Sequence, residues 1–323
     1  MLSSVTVAKL ALLSALAGKA LAHGTVPGFT IDGVYQTGWL LDYWYKKHYG
    51  VTPPITPGWY AEDLDTGYID GTEYQNPNVI CHKNAFPANA TATVAAGDTV
   101  SFHWTPWPES HVGPILTYVA RCDGSCSLVD KTELQWVKID EVAIDLTTQK
   151  WPTDAMIANN NTYTVTVPSS LAAGNYVFRH EIIALHSAPN ANGAQNYPQC
   201  INIAITGDGT DKPTGVVGTD LYRATDPGIL FNPYRTVTAY TIPGPPLYTG
   251  GKSAVGSSPS PSPSSSASAS ASSPTPVATT SATTTPTTAS TTSTTPTTLA
   301  TSTRAAHTHH CSRRRKHKPA ARV

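Results

Sequence analysis

Apolar and polar residues alternate in four short stretches of the chain, and each predicts a strand with one buried face. They are Thr99-Val-Ser-Phe-His-Trp104, Tyr163-Thr-Val-Thr-Val167, Tyr176-Val-Phe-Arg179 and Ile201-Asn-Ile-Ala-Ile205. Turn-forming residues punctuate them at Gly97-Asp98, Pro168-Ser169, Ala173-Gly174-Asn175 and Gly207-Asp208-Gly209. A helical period is short where it exists at all: Pro152 to Ala158 predicts a single small helix. Short strands separated by turns predict an all-β fold, a β-sandwich. The stretch from Val34 to Asn78 keeps neither period. It is aromatic and proline-rich, and a loop of that length in a compact domain usually carries function.

The ends of the chain have different compositions. Lys9 precedes an apolar run, Leu10 to Leu16, and Ala20-Leu-Ala22 closes it with small residues where a signal peptidase requires them. The run is shorter than the roughly 20 apolar residues a membrane span needs. Residues 1–22 are therefore expected to be a secretory signal, and the mature protein to be extracellular with no membrane anchor. Residues 23–249 are expected to form one domain. Residues 250–303 collapse to Ser, Thr, Ala and Pro, the composition of an O-glycosylated linker. Residues 304–323 form a basic, His- and Arg-rich tail expected to be disordered, with no hydrophobic run to signal a lipid anchor.

Charge narrows the partners. All 21 acidic residues and only eleven of the 21 basic ones lie between His23 and Gly251, so the body carries a formal charge of −10 although the whole chain is neutral. An acidic body argues against nucleic acid as a partner. Five cysteines in a secreted chain suggest disulfides with one thiol left over, Cys311 in the tail. The four in the body allow three pairings, among which the sequence does not choose. Cys122-Asp-Gly-Ser-Cys126 is a natural local closure and would leave Cys81 for Cys200. Asn89-Ala-Thr91 and Asn160-Asn-Thr162 are N-glycosylation sequons, expected on the surface.

The candidate chemistry begins at His23. Once the signal is removed this residue offers both an α-amine, with a pKa near 8, and an imidazole, a chelating pair that no mid-chain histidine can supply. Copper(II) favours nitrogen donors in a near-square arrangement. A further ligand must come from elsewhere, and His111 sits in the rigid turn Trp107-Pro-Glu-Ser-His-Val-Gly-Pro114. In His180-Glu-Ile-Ile-Ala-Leu-His186 the two histidines are six apart and would share one face of a strand. Gln195 and Tyr197 would likewise share a face of an extended segment.

These residues together resemble the fungal lytic polysaccharide monooxygenases of auxiliary activity family nine, once classed among glycoside hydrolases. The resemblance rests on His23-Gly, Glu109-Ser-His-Val-Gly-Pro114, His180 to Ser187 and Gly193-Ala-Gln-Asn-Tyr-Pro-Gln-Cys200. Ala96-Gly-Asp-Thr99, Ala173-Gly-Asn-Tyr-Val177, Leu221-Tyr-Arg-Ala-Thr-Asp-Pro-Gly228 and Ile242-Pro-Gly-Pro245 extend it over most of residues 23–248. It implies an immunoglobulin/fibronectin-like β-sandwich whose long loops form a flat, copper-bearing face. It implies one copper held by the amine and ring of His23 and the ring of His111, with Tyr197 axial and His186 and Gln195 hydrogen-bonding around the reactive position. Disulfides Cys81–Cys200 and Cys122–Cys126 are implied as well, and His180 is left a structural role. The implied reaction is oxidative cleavage of cellulose or a related β-1,4-glucan, at C1, C4 or both. Dioxygen or hydrogen peroxide would serve as oxidant and a small reductant or cellobiose dehydrogenase as electron donor, in a monomer. Tyr234 resembles the family's surface tyrosine, and Tyr43, Trp44 and Tyr45 are further candidates to stack on sugar rings. A glycoside hydrolase, which needs two flanking carboxylates, and a non-catalytic carbohydrate- or copper-binding module are the competing readings.

Overall fold

The computed structural model describes residues 24–63 and 67–250; the signal, His23, the linker from residue 251 and the tail with Cys311 lie outside the described residues. Among the described residues, ten strands build two sheets. The smaller runs in the order β2 (Val34–Thr37), β1 (Gly28–Ile31), β4 (Thr99–His103) and β7 (Thr162–Thr166), all antiparallel. Asp32 and Gly33 turn β1 into β2 with φ of 51° and 74°, the left-handed backbone that a two-residue hairpin loop requires. The larger sheet runs in the order β10 (Val216–Val217), β6 (Gln135–Val142), β5 (Ile115–Arg121), β8 (Gly174–Ala184), β9 (Gln195–Thr206) and β3 (Ala92–Ala95). Only its β3–β9 pair is parallel.

The sheets pack face to face. Phe29, Val100, Phe102 and Val165 of the small sheet meet Ile115, Val119, Phe178 and Ile203 of the large one in one buried cluster. The other face of the large sheet is covered too, by loop residues such as Trp59, Ile69, Tyr74 and Ile80 packed on Leu116, Tyr118 and Ile183. Two covered faces explain why β5 shows no alternation and why β8 runs on as a buried, non-alternating strand past its predicted Tyr176–Arg179 stretch. Six of the seven β5 residues are buried, as are nine consecutive residues of β8. The predicted strands at Thr99, Tyr163, Tyr176 and Ile201 are all present, and the last two extend well beyond their alternating cores.

The helices differ from the sequence expectation in two places. The predicted small helix is there as Pro152–Ala158, but the early aromatic stretch also folds a helix, α1 (Leu41–His48). Asp42 in its first turn and Lys46, Lys47 and His48 in its last suit the helix dipole, and Asp42 pairs with Lys46 one turn on. A second short helix, α2 (Asn78–Cys81), is held to β9 by the Cys81–Cys200 disulfide, and Cys122 closes on Cys126.

An ion pair is buried between the loops and the large sheet. Arg179 and Glu181 are fully buried and form a two-pronged pair, and Arg179 also donates to the carbonyls of Val79 (2.9 Å) and Ile80 (2.7 Å). Glu181 accepts from Tyr222 and from Asn196 Nδ2 (3.0 Å). The charge is thus met by donors on every side, the condition under which a buried ion pair is tolerated. Burial first, and the Glu181 charge second, push the Tyr222 hydroxyl far above the usual phenol range.

His180 lies on the opposite face of β8, stacked on Phe102 with ring centroids 4.1 Å apart. Trp104 Nε1 can only donate, so His180 Nε2 accepts at 3.1 Å and Nδ1 must carry the proton, which it donates to Thr117 Oγ1 at 2.9 Å. Burial lowers its pKa from 6.5 to about 3. The unfolded chain therefore binds the extra proton between those two values. The stability due to this residue is complete above pH 6.5 and falls as pH drops towards 3, by about 1.4 kcal/mol per pH unit. His180→Phe is expected to flatten the fall of melting temperature below pH 6.5; an unchanged slope would contradict this account.

Candidate metal centre

The β5/β8 register sets Ile115 against Ile182 and Thr117 against His180. Past the strand ends the pairing continues: Ile183 N donates to Pro114 O at 3.1 Å and Leu185 N to Val112 O at 2.8 Å. One step further along this ladder lie His111 and His186. Their rings are 3.8 Å apart between centroids and 31° from parallel. Gly113 lets the two backbones close in, because a Cβ there would lie 1.8 Å from Ile183 O. The histidine pair is therefore a continuation of the sheet rather than an accident of two loops.

The turn carrying His111 is fixed from several directions. His111 N donates to Pro108 O at 3.0 Å, and Trp107 Nε1 donates to the His111 carbonyl at 2.9 Å. Ser110 Oγ lies 3.1 Å from His111 Nδ1, which leaves Nε2 as the nitrogen suited to a metal. Trp107 N is bonded in turn to Asn161 Oδ1 at 2.9 Å. Asn160 and Asn161 both have positive φ, 53° and 57°, a conformation asparagine tolerates better than most residues. Sequence reasoning gave Asn161, Ser110 and Trp107 no role, because the Asn161 contact joins segments distant along the chain and those of Ser110 and Trp107 to His111 arise from how the turn folds.

Gln195 and Tyr197 open β9 next door, opposite Ala184 and Ile182. Their side chains share a face as predicted, and the buried Tyr197 hydroxyl donates to Gln195 Oε1 at 2.8 Å. The Tyr197 ring stands edge-on to Trp107 with centroids 5.0 Å apart, and Trp107 stands edge-on to His111 at 6.0 Å. The described chain begins against the same indole. A Cβ on Gly24 would sit 2.8 Å from Trp107, and Thr25 pairs its backbone with Thr105. The residue preceding Gly24 is His23, outside the described residues.

Two imidazoles, a buried phenol and a carboxamide thus converge at one rim of the sandwich. Imidazole nitrogen suits copper well, and the phenol and carboxamide oxygens beside it would be further polar neighbours for such an ion. Among the described residues no group of three or more His, Cys, Asp or Glu side chains could hold a metal. A metal held here needs a donor from outside that set. The donor set fits copper on that condition.

The candidate sugar-binding rings are placed unequally. Tyr234 is 70% exposed, and its hydroxyl donates to the His186 carbonyl at 2.8 Å, so its ring adjoins the centre. Tyr45 is exposed on α1, and Trp44 is half-buried and stacked on His48 at 4.8 Å. Tyr43 is buried edge-on against Trp39 and offers no free face to a substrate. Asn89 and Asn160 are both exposed, and the second sequon borders the loop that carries His111.

The family model for Auxiliary Activity family 9, formerly GH61, matches residues 23–241. The chain is 59% identical to AA9 family lytic polysaccharide monooxygenase D of Botryotinia fuckeliana over 236 residues, covering 73% of this chain and 96% of the relative. It is 52% identical to AA9 family lytic polysaccharide monooxygenase A of Thermoascus aurantiacus over 231 residues, 71% of this chain and all of the relative. The fold matches the solved structure of Cel61B from Hypocrea jecorina, described as a glycoside hydrolase family 61 member. The TM-score is 0.68 at 54% identity, covering 70% of this chain and all of that one.

Proposed function

Because the chain belongs to Auxiliary Activity family 9, the copper-dependent lytic polysaccharide monooxygenases, we propose that His23 and His111 hold the copper with which it cleaves β-1,4-glucan oxidatively. The observation that carries this reading is the pairing of His111 with His186, 3.8 Å between ring centroids, beside the Tyr197–Gln195 bond. Copper bound there supplies one-electron redox chemistry towards dioxygen or hydrogen peroxide, with electrons from a small reductant or cellobiose dehydrogenase. The protein supplies the rest. Ser110 and the sheet-like ladder hold the His111 ring in one orientation, as outer-shell partners of a metal ligand do. Gln195 Oε1 engages the Tyr197 proton, which orients the phenol oxygen, while the Gln195 NH₂ and the His186 ring provide donors at the rim. Tyr234 presents its ring beside them for a glucan chain to stack on.

Hydrolysis by a carboxylate pair is disfavoured by the same geometry. Glu181 is fully buried in its pair with Arg179 and cannot reach a substrate. Mass spectrometry of the products from cellulose tests the reading. Oxidised oligosaccharides that require both copper and reductant are expected, and ordinary sugars released without either would overturn it. The protein is read as a secreted monomer, the signal at residues 1–22 being followed directly by His23.

Tyr234→Ala is expected to weaken cellulose binding by about 1.5 kcal/mol, roughly tenfold, with copper affinity unchanged. Tyr234→Phe keeps the ring, loses only the bond to the His186 carbonyl, and should bind cellulose normally. Pull-down isotherms on microcrystalline cellulose measure both. Equal loss in the two variants would show that the hydroxyl, not the ring, matters.

A further inference from the structure

A concave feature lined by none of the metal-centre residues lies on another part of the domain. It is a cavity of about 510 Å³ between the segment 50–58 and the segment 86–89. Trp39, Pro54, Ile55, Tyr60 and Phe86 line it, and Asn89 forms part of its wall. Tyr60 and Phe86 are stacked at 4.1 Å, with the Lys47 ammonium 4.1 Å from the Phe86 centroid. Ile55 is 73% and Phe86 42% exposed, an unusual pair of open apolar side chains on one small surface.

The backbone around Asn89 is pinned. The buried Asn202 of β9 donates to the carbonyl of Ala88 at 2.8 Å and to that of Ala90 at 3.3 Å, holding the residues on both sides. Its Oδ1 accepts from Trp59 at 2.7 Å, and its backbone N–H donates to Pro57 O, so the same residue fixes the opposite wall. Asn89 and Thr91 of the sequon are both exposed. The acceptor amide therefore stands at the edge of the apolar cavity on a backbone that cannot swing it away.

We propose that Asn89 carries an N-linked glycan whose first sugar rings lie in this cavity and cover Phe86 and Ile55. In the secretory pathway the Asn89 amide nitrogen bonds to the anomeric carbon of a lipid-diphosphate-linked oligosaccharide. It loses one proton, and the lipid diphosphate departs with the bonding electron pair. The C–H face of the first N-acetylglucosamine and its acetyl methyl suit stacked aromatic rings, and Lys47 can donate to the sugar oxygens. The cavity volume lies in the range of small-ligand sites. This glycan rests on the secretion read above but not on the copper chemistry.

The test uses the full chain secreted by a fungal host, with peptide mapping of Asn89 and hydrogen exchange of residues 50–60. Asn89 is expected to be modified. Asn89→Gln and Thr91→Ala, which remove the glycan in different ways, should both speed exchange in this segment and raise apolar-dye fluorescence several-fold. The yield of oxidised products should stay the same. Phe86→Ala should leave the glycan attached but make it quicker to trim by endoglycosidase. Secreted protein with Asn89 unmodified would overturn the proposal. So would equal exchange in parent and both variants, the result expected if a stretch of the chain itself or a soluble glucan covers the groove. Loss of oxidised products in the unaltered protein would instead count against the copper reading alone.

Discussion

His111→Ala is expected to lower copper affinity by on the order of a thousandfold and to abolish oxidised products, while the fold stays intact. Removing an outer-shell partner of a metal ligand costs about 10–100-fold, and removal of the ligand itself should exceed that. The turn survives because its bonds are made by the backbone: His111 N to Pro108 O, and Trp107 Nε1 to the His111 carbonyl. His186→Ala is the informative partner. It removes the ring packed at 3.8 Å, and it should leave copper affinity within about tenfold while lowering turnover. Isothermal titration with copper(II) and electron paramagnetic resonance separate the two. Parent-like affinity in His111→Ala would remove His111 from the ligand set, and equal affinity losses in the two variants would make His186 a ligand.

Glu181→Ala is expected to cost about 3–5 kcal/mol, because it strands the fully buried Arg179 charge in the core. It also takes an acceptor from Tyr222 and from Asn196. Asn196 lies between Gln195 and Tyr197 on β9 and is held on its other side by Tyr74, whose hydroxyl donates to Asn196 Oδ1 at 2.7 Å. Loss of Glu181 should therefore loosen the two residues that border the metal centre as well as lower the unfolding midpoint. The double variant Arg179→Met with Glu181→Leu should recover only part of the loss, since removing Arg179 takes the donor away from the Val79 and Ile80 carbonyls. Denaturant unfolding reads all three. A single variant within about 1 kcal/mol of the parent would mean that the charge finds water or another partner.

Sequence pattern revealed the two small-sheet strands that keep one face open, and only short stretches of β8 and β9, which are covered on both faces. Thr99 to Trp104 and Tyr163 to Val167 alternate because each lies in the small sheet, with its outer face open. Ile115 to Arg121 was hidden by burial on both faces, and β6 by Lys138, buried in a polar pocket between Glu141 and the Pro243 carbonyl. The helix at Leu41–His48 was hidden because it buries one tyrosine and covers itself with aromatic rings, a pattern without a clean apolar stripe. At the site, the shared face of Gln195 and Tyr197 follows from strand parity alone. The expected strand through His180 and His186 stops at Ala184, yet backbone pairing carries the same register onwards to Leu185, the neighbour of His186. What no one-dimensional pattern could supply was which distant histidine would face it.

That register has a consequence for how the chain can change in length. The spacing of His111 and His186 is measured by the ladder joining Val112–Arg121 to Tyr176–Leu185, not by the segments that connect those strands. Residues can be inserted at an exposed turn of the connection between Arg121 and Gly174, such as 145–148, outside β6, β7 and the Asn161 turn, and the ruler is untouched. One residue gained or lost inside either strand would carry one histidine to the opposite face of the sheet and separate the pair. Tolerance to insertion along this chain should therefore follow the hydrogen-bond ladder, with two narrow forbidden zones far apart in sequence and adjacent in space.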